Sequence, residues 1–142
     1  MGTETGMSSS TRSLTISDLA RAGVVALAIS LGINLLIVFV ANAGGIAPAL
    51  EALNYGPVTF FTTLGVIGAT ITYGVLARFS ASPDRLFIIV AAIVLVLSLV
   101  PDFTVIPNQP GGSLFAGAIL GLMHVTTAVI CVGVLTDRSA GQ

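Results

Sequence analysis

The sequence predicts an all-α, polytopic membrane protein: four transmembrane helices in two hairpins, forming an antiparallel bundle. Three observations carry that expectation. Hydrophobic residues make up 55% of the 142 residues and charged residues only 8%, where an ordinary soluble domain carries roughly a quarter charged residues. Mean hydropathy is +1.06. The few charges sit between apolar runs, and those runs span residues 19–41, 58–77, 83–100 and 114–135. A helix rises about 1.5 Å per residue, so about 20 apolar residues cross a hydrocarbon core of about 30 Å.

The length suits one domain. Residues 1–17 are small, polar and unpatterned, and are expected to form a disordered cytoplasmic tail. Residues 18–136 form the transmembrane domain, and 137–142 a short cytoplasmic tail. Met7 is an alternative start, and Gly6 breaks the myristoylation pattern. Ser17 or Asp18 is the expected cap of the first helix. In that run Ala22, Ala26, Ser30 and Asn34 recur every fourth residue, which places one small or polar stripe along a helix. Asn34 falls near mid-bilayer, where its amide requires a partner on its own backbone or on a neighbouring helix. A secretory signal is the alternative for this run, because Ala41, Asn42 and Ala43 have the form of a cleavage site before Gly44. The run of about 20 residues is longer than the usual signal core of about 7–15.

Residues 42–57 read as a connector, with Pro48 opening a short interfacial helix that places Leu50 and Leu53 on one side. Tyr55 suits the headgroup level. In the second run, Thr59, Thr62, Thr63, Thr70 and Thr72 can bond their own helix backbone. Gly65 with Ala69, and Gly68 with Thr72, are small pairs one turn apart that favour close helix packing. Ser82, Pro83 and Asp84 signal a helix start through a capping serine, a first-turn proline and an acid at the positive end of the dipole. The third run is the most uniformly aliphatic and is expected to face lipid. Pro101 is expected to end it, which places Asp102 at the membrane boundary in a stiff loop over 101–113. Ser113 is the expected cap of the last helix.

With four spans, Arg12, Arg21, Arg78, Arg85 and Arg138 all fall on one side. Only Glu51 and Asp102 fall on the other. Positively charged loops stay in the cytoplasm, so both termini are expected there, in a multi-pass protein of the plasma membrane. The net charge of −1 and the lack of a basic patch exclude nucleic acid as a partner.

Little in the sequence can do chemistry. It contains no HExxH, no P-loop and no CxxC, and it has a single histidine and a single cysteine. No catalytic, cofactor-binding or metal-binding residues are expected, and no enzyme. A Ser98, His124 and Asp102 set fails on depth if Asp102 is interfacial and His124 central. What remains is an intramembrane polar site of His124, Asn34 and Thr127, since an ionisable group at bilayer depth is a functional candidate by default. His124 bonded to Asn34 or to a backbone carbonyl, as a packing device, is the plainer reading. Gly117 and Gly121 form a GxxxG pair that lets another helix approach, either within the bundle or in a homo-oligomer. The expected neighbour within the bundle is the span carrying Asn34 or the one carrying the threonines. Cys131 is read as a small buried apolar residue.

The four-span layout, the PDF…GG loop between Asp102 and Gly112 and the GLMHVTTAVICVGVL ending resemble a prokaryotic family of small four-helix membrane proteins of unknown function. The resemblance covers residues 19–135 and implies no activity. The expected partners are the lipid bilayer and either further copies or another membrane protein. The expected role is a non-enzymatic bundle acting as an oligomeric or accessory membrane component. The alternative is a small transporter or channel with a polar path near Asn34 and His124.

Overall fold

The computed structural model describes residues 15–140, with side chains as far as residue 137. The N-terminal tail with Arg12 and Met7, and the Arg138 side chain, lie outside the described residues. Four long helices form the bundle: α1 (Ile16–Ala43), α2 (Tyr55–Phe79), α3 (Pro83–Thr104) and α4 (Leu114–Ala140). Each is long and apolar enough to cross a membrane. One-turn 3-10 helices at Glu51–Leu53 and Ile106–Asn108 interrupt the two longer connectors. The chain folds as two hairpins. α1 packs closely on α2 and α4, and α3 on α4, while α2 and α3 touch far less.

The helix ends differ from expectation in ways local chemistry explains. α1 begins at Ile16 because Thr15 caps it, its hydroxyl accepting from the Asp18 N–H at 3.2 Å. Ser17 and Asp18 therefore lie inside the helix rather than before it, and residues 15–17 are not part of a tail. Ser82 stands at the α3 N-cap without a side-chain cap bond. Ser113 does cap α4, accepting from the Ala116 N–H at 3.0 Å. α4 runs on through Asp137 to Ala140 where a polar tail was expected.

Pro101 does not end α3. The helix passes through it to Thr104. Proline holds φ at a helical value and forfeits one backbone bond, while its effect on the preceding residue is a bias and not a prohibition. The turn beyond it is held by the Val105 N–H to the Pro101 carbonyl at 2.9 Å and by the Thr104 hydroxyl to the Val100 carbonyl at 2.7 Å. Asp102 consequently lies on a helix and faces inward, only 4% exposed.

Two apolar clusters fill the bundle. At the loop end, Val38, Ala41, Leu50, Leu53, Val58, Ile106, Ala116, Leu120 and Met123 pack together, so both long connectors fold onto the same end. Gly111 sits at φ +75°, and a side chain there would strike the Ala49–Leu50 backbone, so glycine is what lets the two connectors meet. At the other end, Ala22, Ala26, Val66, Tyr73, Phe87, Cys131 and Leu135 form the second cluster. There the Tyr73 ring packs edge-on against Phe87, and its hydroxyl donates to Asp84 at 2.7 Å. The α1 stripe is buried as expected at Ala22, Ala26, Ser30 and Asn34. α3 is the least covered helix, with 11% of its apolar window buried against 28% for α1 and α4, as its aliphatic composition suggests.

The glycine pairs divide. Gly65 and Gly68 face open space and pack on nothing, so the expected packing role of Gly65 is not met. Ala69 is half-buried against the second cluster. On α2 the close approaches to α1 are made elsewhere. Gly74 takes the Leu19 side chain, and Thr70 lies where a Cβ on Gly23 would fall. Gly117 and Gly121 pack within the chain against α3, not against α1 or α2. A Cβ on Gly117 would overlap the Asp102 carbonyl oxygen, and one on Gly121 would come to 3.1 Å from Leu99 Cδ2.

Backbone cannot yield as a flexible side chain can. Gly117→Ala is therefore expected to lower stability by about 1–3 kcal/mol, while Gly65→Ala stays within about 0.5 kcal/mol. Unfolding of the two variants in detergent micelles measures the difference, and equal stability would contradict the α3–α4 contact.

Candidate intramembrane site

Between the two apolar clusters lies a polar layer. Asn34 is 2% exposed, and its side-chain amide donates to Thr62 Oγ1 on α2 and to Thr127 Oγ1 on α4, both at 3.0 Å. Three helices are thereby tied through one side chain. Thr62 and Thr127 are acceptors in these bonds. By contrast Thr63, Thr70 and Thr72 each donate to the carbonyl four residues earlier, as expected for threonine in a helix. Asn34 Oδ1 and the Ser30 hydroxyl one turn away are buried and have no partner among the described residues.

His124 does not bond Asn34. Its Nδ1 lies 2.9 Å from Asp102 Oδ2 and 3.0 Å from the Leu120 carbonyl oxygen. A carbonyl can only accept, so Nδ1 carries the hydrogen and shares it between the two oxygens. That fixes the imidazole orientation and leaves Nε2 on the other edge, where it makes no hydrogen bond among the described residues. His124 is 41% exposed by side chain and Asp102 5%. The carboxylate is thus buried behind the ring, and the ring is the accessible partner.

The depth objection to this pairing fails for a geometric reason. His124 lies ten residues into α4, or about 15 Å along its axis, while Asp102 lies one turn from the end of α3. The start of α4 and the end of α3 lie side by side, since a Cβ on Gly117 would overlap the Asp102 carbonyl oxygen, and the imidazole reaches back one turn toward them, its Nδ1 meeting the Leu120 carbonyl. Asp102 is the site residue that sequence reasoning missed. The available signal was its spacing: Ser98 and Asp102 are one turn apart, on the same side of a helix that continues through Pro101.

These groups open onto a cavity of about 760 Å³. Its floor is α4, with Leu120, Met123, His124, Thr127, Ala128 and Cys131. Its sides are α2, with Phe61, Thr62, Leu64, Gly65, Gly68 and Thr72, and α3, with Val90, Ala91, Val94, Leu95, Ser98 and Asp102. Asn34 reaches it from α1. Phe61, Leu64 and Val94 are more than half exposed, so the cavity opens sideways between α2 and α3, which pack far less closely than α1 on α2 or α3 on α4. Gly65 and Gly68 keep that opening wide. The polar groups expected to cluster are therefore brought to one cavity, though in two bonded sets: Asn34 with Thr127 and Thr62, and His124 with Asp102. Ser98 shares the wall, but its hydroxyl donates to the Leu95 carbonyl at 2.8 Å. No group of three metal-ligating side chains occurs among the described residues.

The three-helix amide network has a measurable signature. Thr62→Val and Thr127→Val are each expected to cost about 1 kcal/mol, and either penalty should shrink toward zero in an Asn34→Leu background. Unfolding in mixed micelles completes both cycles. Additive losses would mean that the amide does not couple the helices.

No curated protein and no solved structure matches the chain. The model of a family of unknown function, DUF6069, matches residues 15–141, and the chain belongs to that family.

Proposed function

We propose that the protein is a non-enzymatic, multi-pass membrane component whose working part is the side-opening cavity, and that it binds there a small molecule drawn from the bilayer. The observation that carries this reading is the Asp102–His124 pair. Burying a carboxylate in an apolar bundle is costly unless it is paired. Here the pair is set behind a cavity mouth instead of being sealed in packing. Ligand sites share this design: apolar walls, a volume of roughly 300–1,000 Å³ and a few fixed polar groups. A carrier role for the same site is the natural extension, with Asn34 and His124 on the path. The exposed α2 face around Phe60, Phe61 and Leu64 suits contact with a further copy or an accessory role beside another membrane protein.

For orientation, Arg21, Arg78 and Arg85 fall at one end of the bundle and the connectors carrying Glu51 and Asn108 at the other. The positive-inside bias then puts both termini in the cytoplasm of a plasma-membrane protein. Topology reporters should read outside at residues 51 and 108 and cytoplasmic at 81. A cytoplasmic reading at 51 or 108 would invert or break the arrangement.

The binding reading is tested without knowing the ligand. Protein purified from its own membrane in mild detergent should retain a small molecule detectable by mass spectrometry of the extract. Gly68→Phe, which projects a ring into the opening, should lose it while keeping the helical content of the parent. Identical extracts from the two proteins would count against the cavity as a binding site.

A further inference from the structure

We infer that the cavity takes a lipophilic amine, and that the bound ammonium and the His124 proton exchange for one another against the Asp102 carboxylate. The inference rests on the binding reading above and adds the chemical class of the ligand. It begins from the charges available to the cavity. The titratable side chains that line it are Asp102 from α3 and His124 and Cys131 from α4. α2 presents Thr62 and Thr72, α1 presents Asn34, and neither contributes an ionisable group there. Among the described residues, no arginine lines the cavity. With Asp102 ionised and Cys131 a neutral thiol, its charge is zero when His124 carries its second proton and −1 when it does not.

An anionic ligand would add to that negative charge in a medium where like charges are poorly screened. A positively charged ligand would replace the imidazolium proton and leave the cavity electrically unchanged. In an apolar interior that exchange avoids an uncompensated charge at every stage. An uncharged amine arriving from the bilayer accomplishes the same result. It takes the proton from Nε2 and becomes the ammonium, while His124 becomes neutral and Asp102 keeps its charge.

Geometry supplies the contact. Nδ1 is held by Asp102 and Leu120, so Nε2 is the imidazole atom left for the cavity. Once neutral, Nε2 is an acceptor, and a protonated amine N–H is the donor that meets it. The carboxylate behind the ring favours both the imidazolium and the ammonium. The apolar walls at Phe61, Leu64, Val94 and Leu95 suit the rest of the molecule. Asp102 acts here as a positioning residue and counter-charge, and His124 as the residue in contact.

The test uses the full-length protein in nanodiscs of zwitterionic lipid. Radiolabelled N,N-dimethyldodecylamine is counted by equilibrium dialysis against protein-free nanodiscs, and dodecanoate and dodecyl methyl ether are the matched anionic and neutral probes. Saturable binding is expected for the amine and not for the other two. Because proton and ammonium compete, affinity should fall as pH is lowered from about 8 to about 5. Asp102→Asn should weaken amine binding at least about tenfold, the equivalent of about 1.4 kcal/mol. His124→Gln should remove the pH dependence over that range. The wild-type pH profile decides the matter even if Asp102→Asn fails to fold. Equal binding of dodecanoate or the ether, an affinity flat with pH, or a folded Asp102→Asn variant that binds the amine like wild type would overturn the inference. If the amine fails while Gly68→Phe still loses a co-purifying molecule, the ligand class is wrong and the cavity reading stands. If both fail, both are wrong.

Discussion

The contact on which the rest of the structure depends is the approach of α4 to α3 at Gly117. The backbone there lies so close to the Asp102 carbonyl that no side chain fits between them. Gly121, one turn on, continues the contact beside Leu99, and a Cβ there would stand 3.7 Å from Asp102 Oδ2. Only with the two helices this close can an aspartate, which has a short side chain, reach the imidazole one turn further along α4. The glycines therefore do two things at once. They allow the tightest helix pair in one half of the bundle, and they set the 2.9 Å separation on which the chemistry of the site rests. Dispersion and close backbone packing drive helix association inside a bilayer, since lipid tails offer no hydrophobic gain over side chains.

A second constraint follows from the uneven distribution of contacts. α1 is fastened to both α2 and α4, by small residues over most of its length and by Asn34 in the middle. α3 is fastened closely only to α4. The side of the bundle left open is thus the α2–α3 seam, and the residues along it are either small, such as Gly65, Gly68 and Ala91, or exposed and apolar. Were Gly65 and Gly68 packing residues, α2 and α3 would meet and the cavity would vanish. Their failure to pack is what gives the site an entrance.

Much of this architecture is legible in the amino-acid order, because the dominant signals are one-dimensional. Apolar run length identifies four spans. A four-residue recurrence identifies the buried stripe of α1, and aliphatic uniformity identifies α3 as the least covered helix. Ser113 announces its cap. The site is legible only in part. Asn34 and His124 stand out as polar residues in apolar runs, and Thr127 as a neighbour of His124, but their partners depend on how helices are staggered. A ruler laid from Pro101 puts Asp102 at a boundary. The structure puts it beside His124 because α3 continues through the proline and the imidazole folds back one turn along α4 to the Leu120 carbonyl. Likewise a small residue one turn from another looks the same in sequence whether it receives a helix, as Gly117 does, or borders a cavity, as Gly65 does. Which occurs is decided by the third helix, and pairwise spacing contains no information about that.

The two polar sets differ in how far they are committed to the fold. The amide of Asn34 spends both its hydrogens on threonines of neighbouring helices, and replacing it would loosen three elements together. The imidazole of His124 spends one nitrogen on structure and leaves the other at the cavity. A histidine serving packing alone would be expected to lie in the sealed core, as Asn34 does at 2% exposure, because an apolar residue of similar shape would fill that space without a buried carboxylate beside it. The chain instead buries Asp102 almost completely and leaves the ring in front of it accessible. The cost of burying the acid is met by a partner whose ring lines the cavity between α2 and α3. That arrangement is hard to account for by stability, and it is the reason to look for a ligand at Nε2 before looking anywhere else on the molecule.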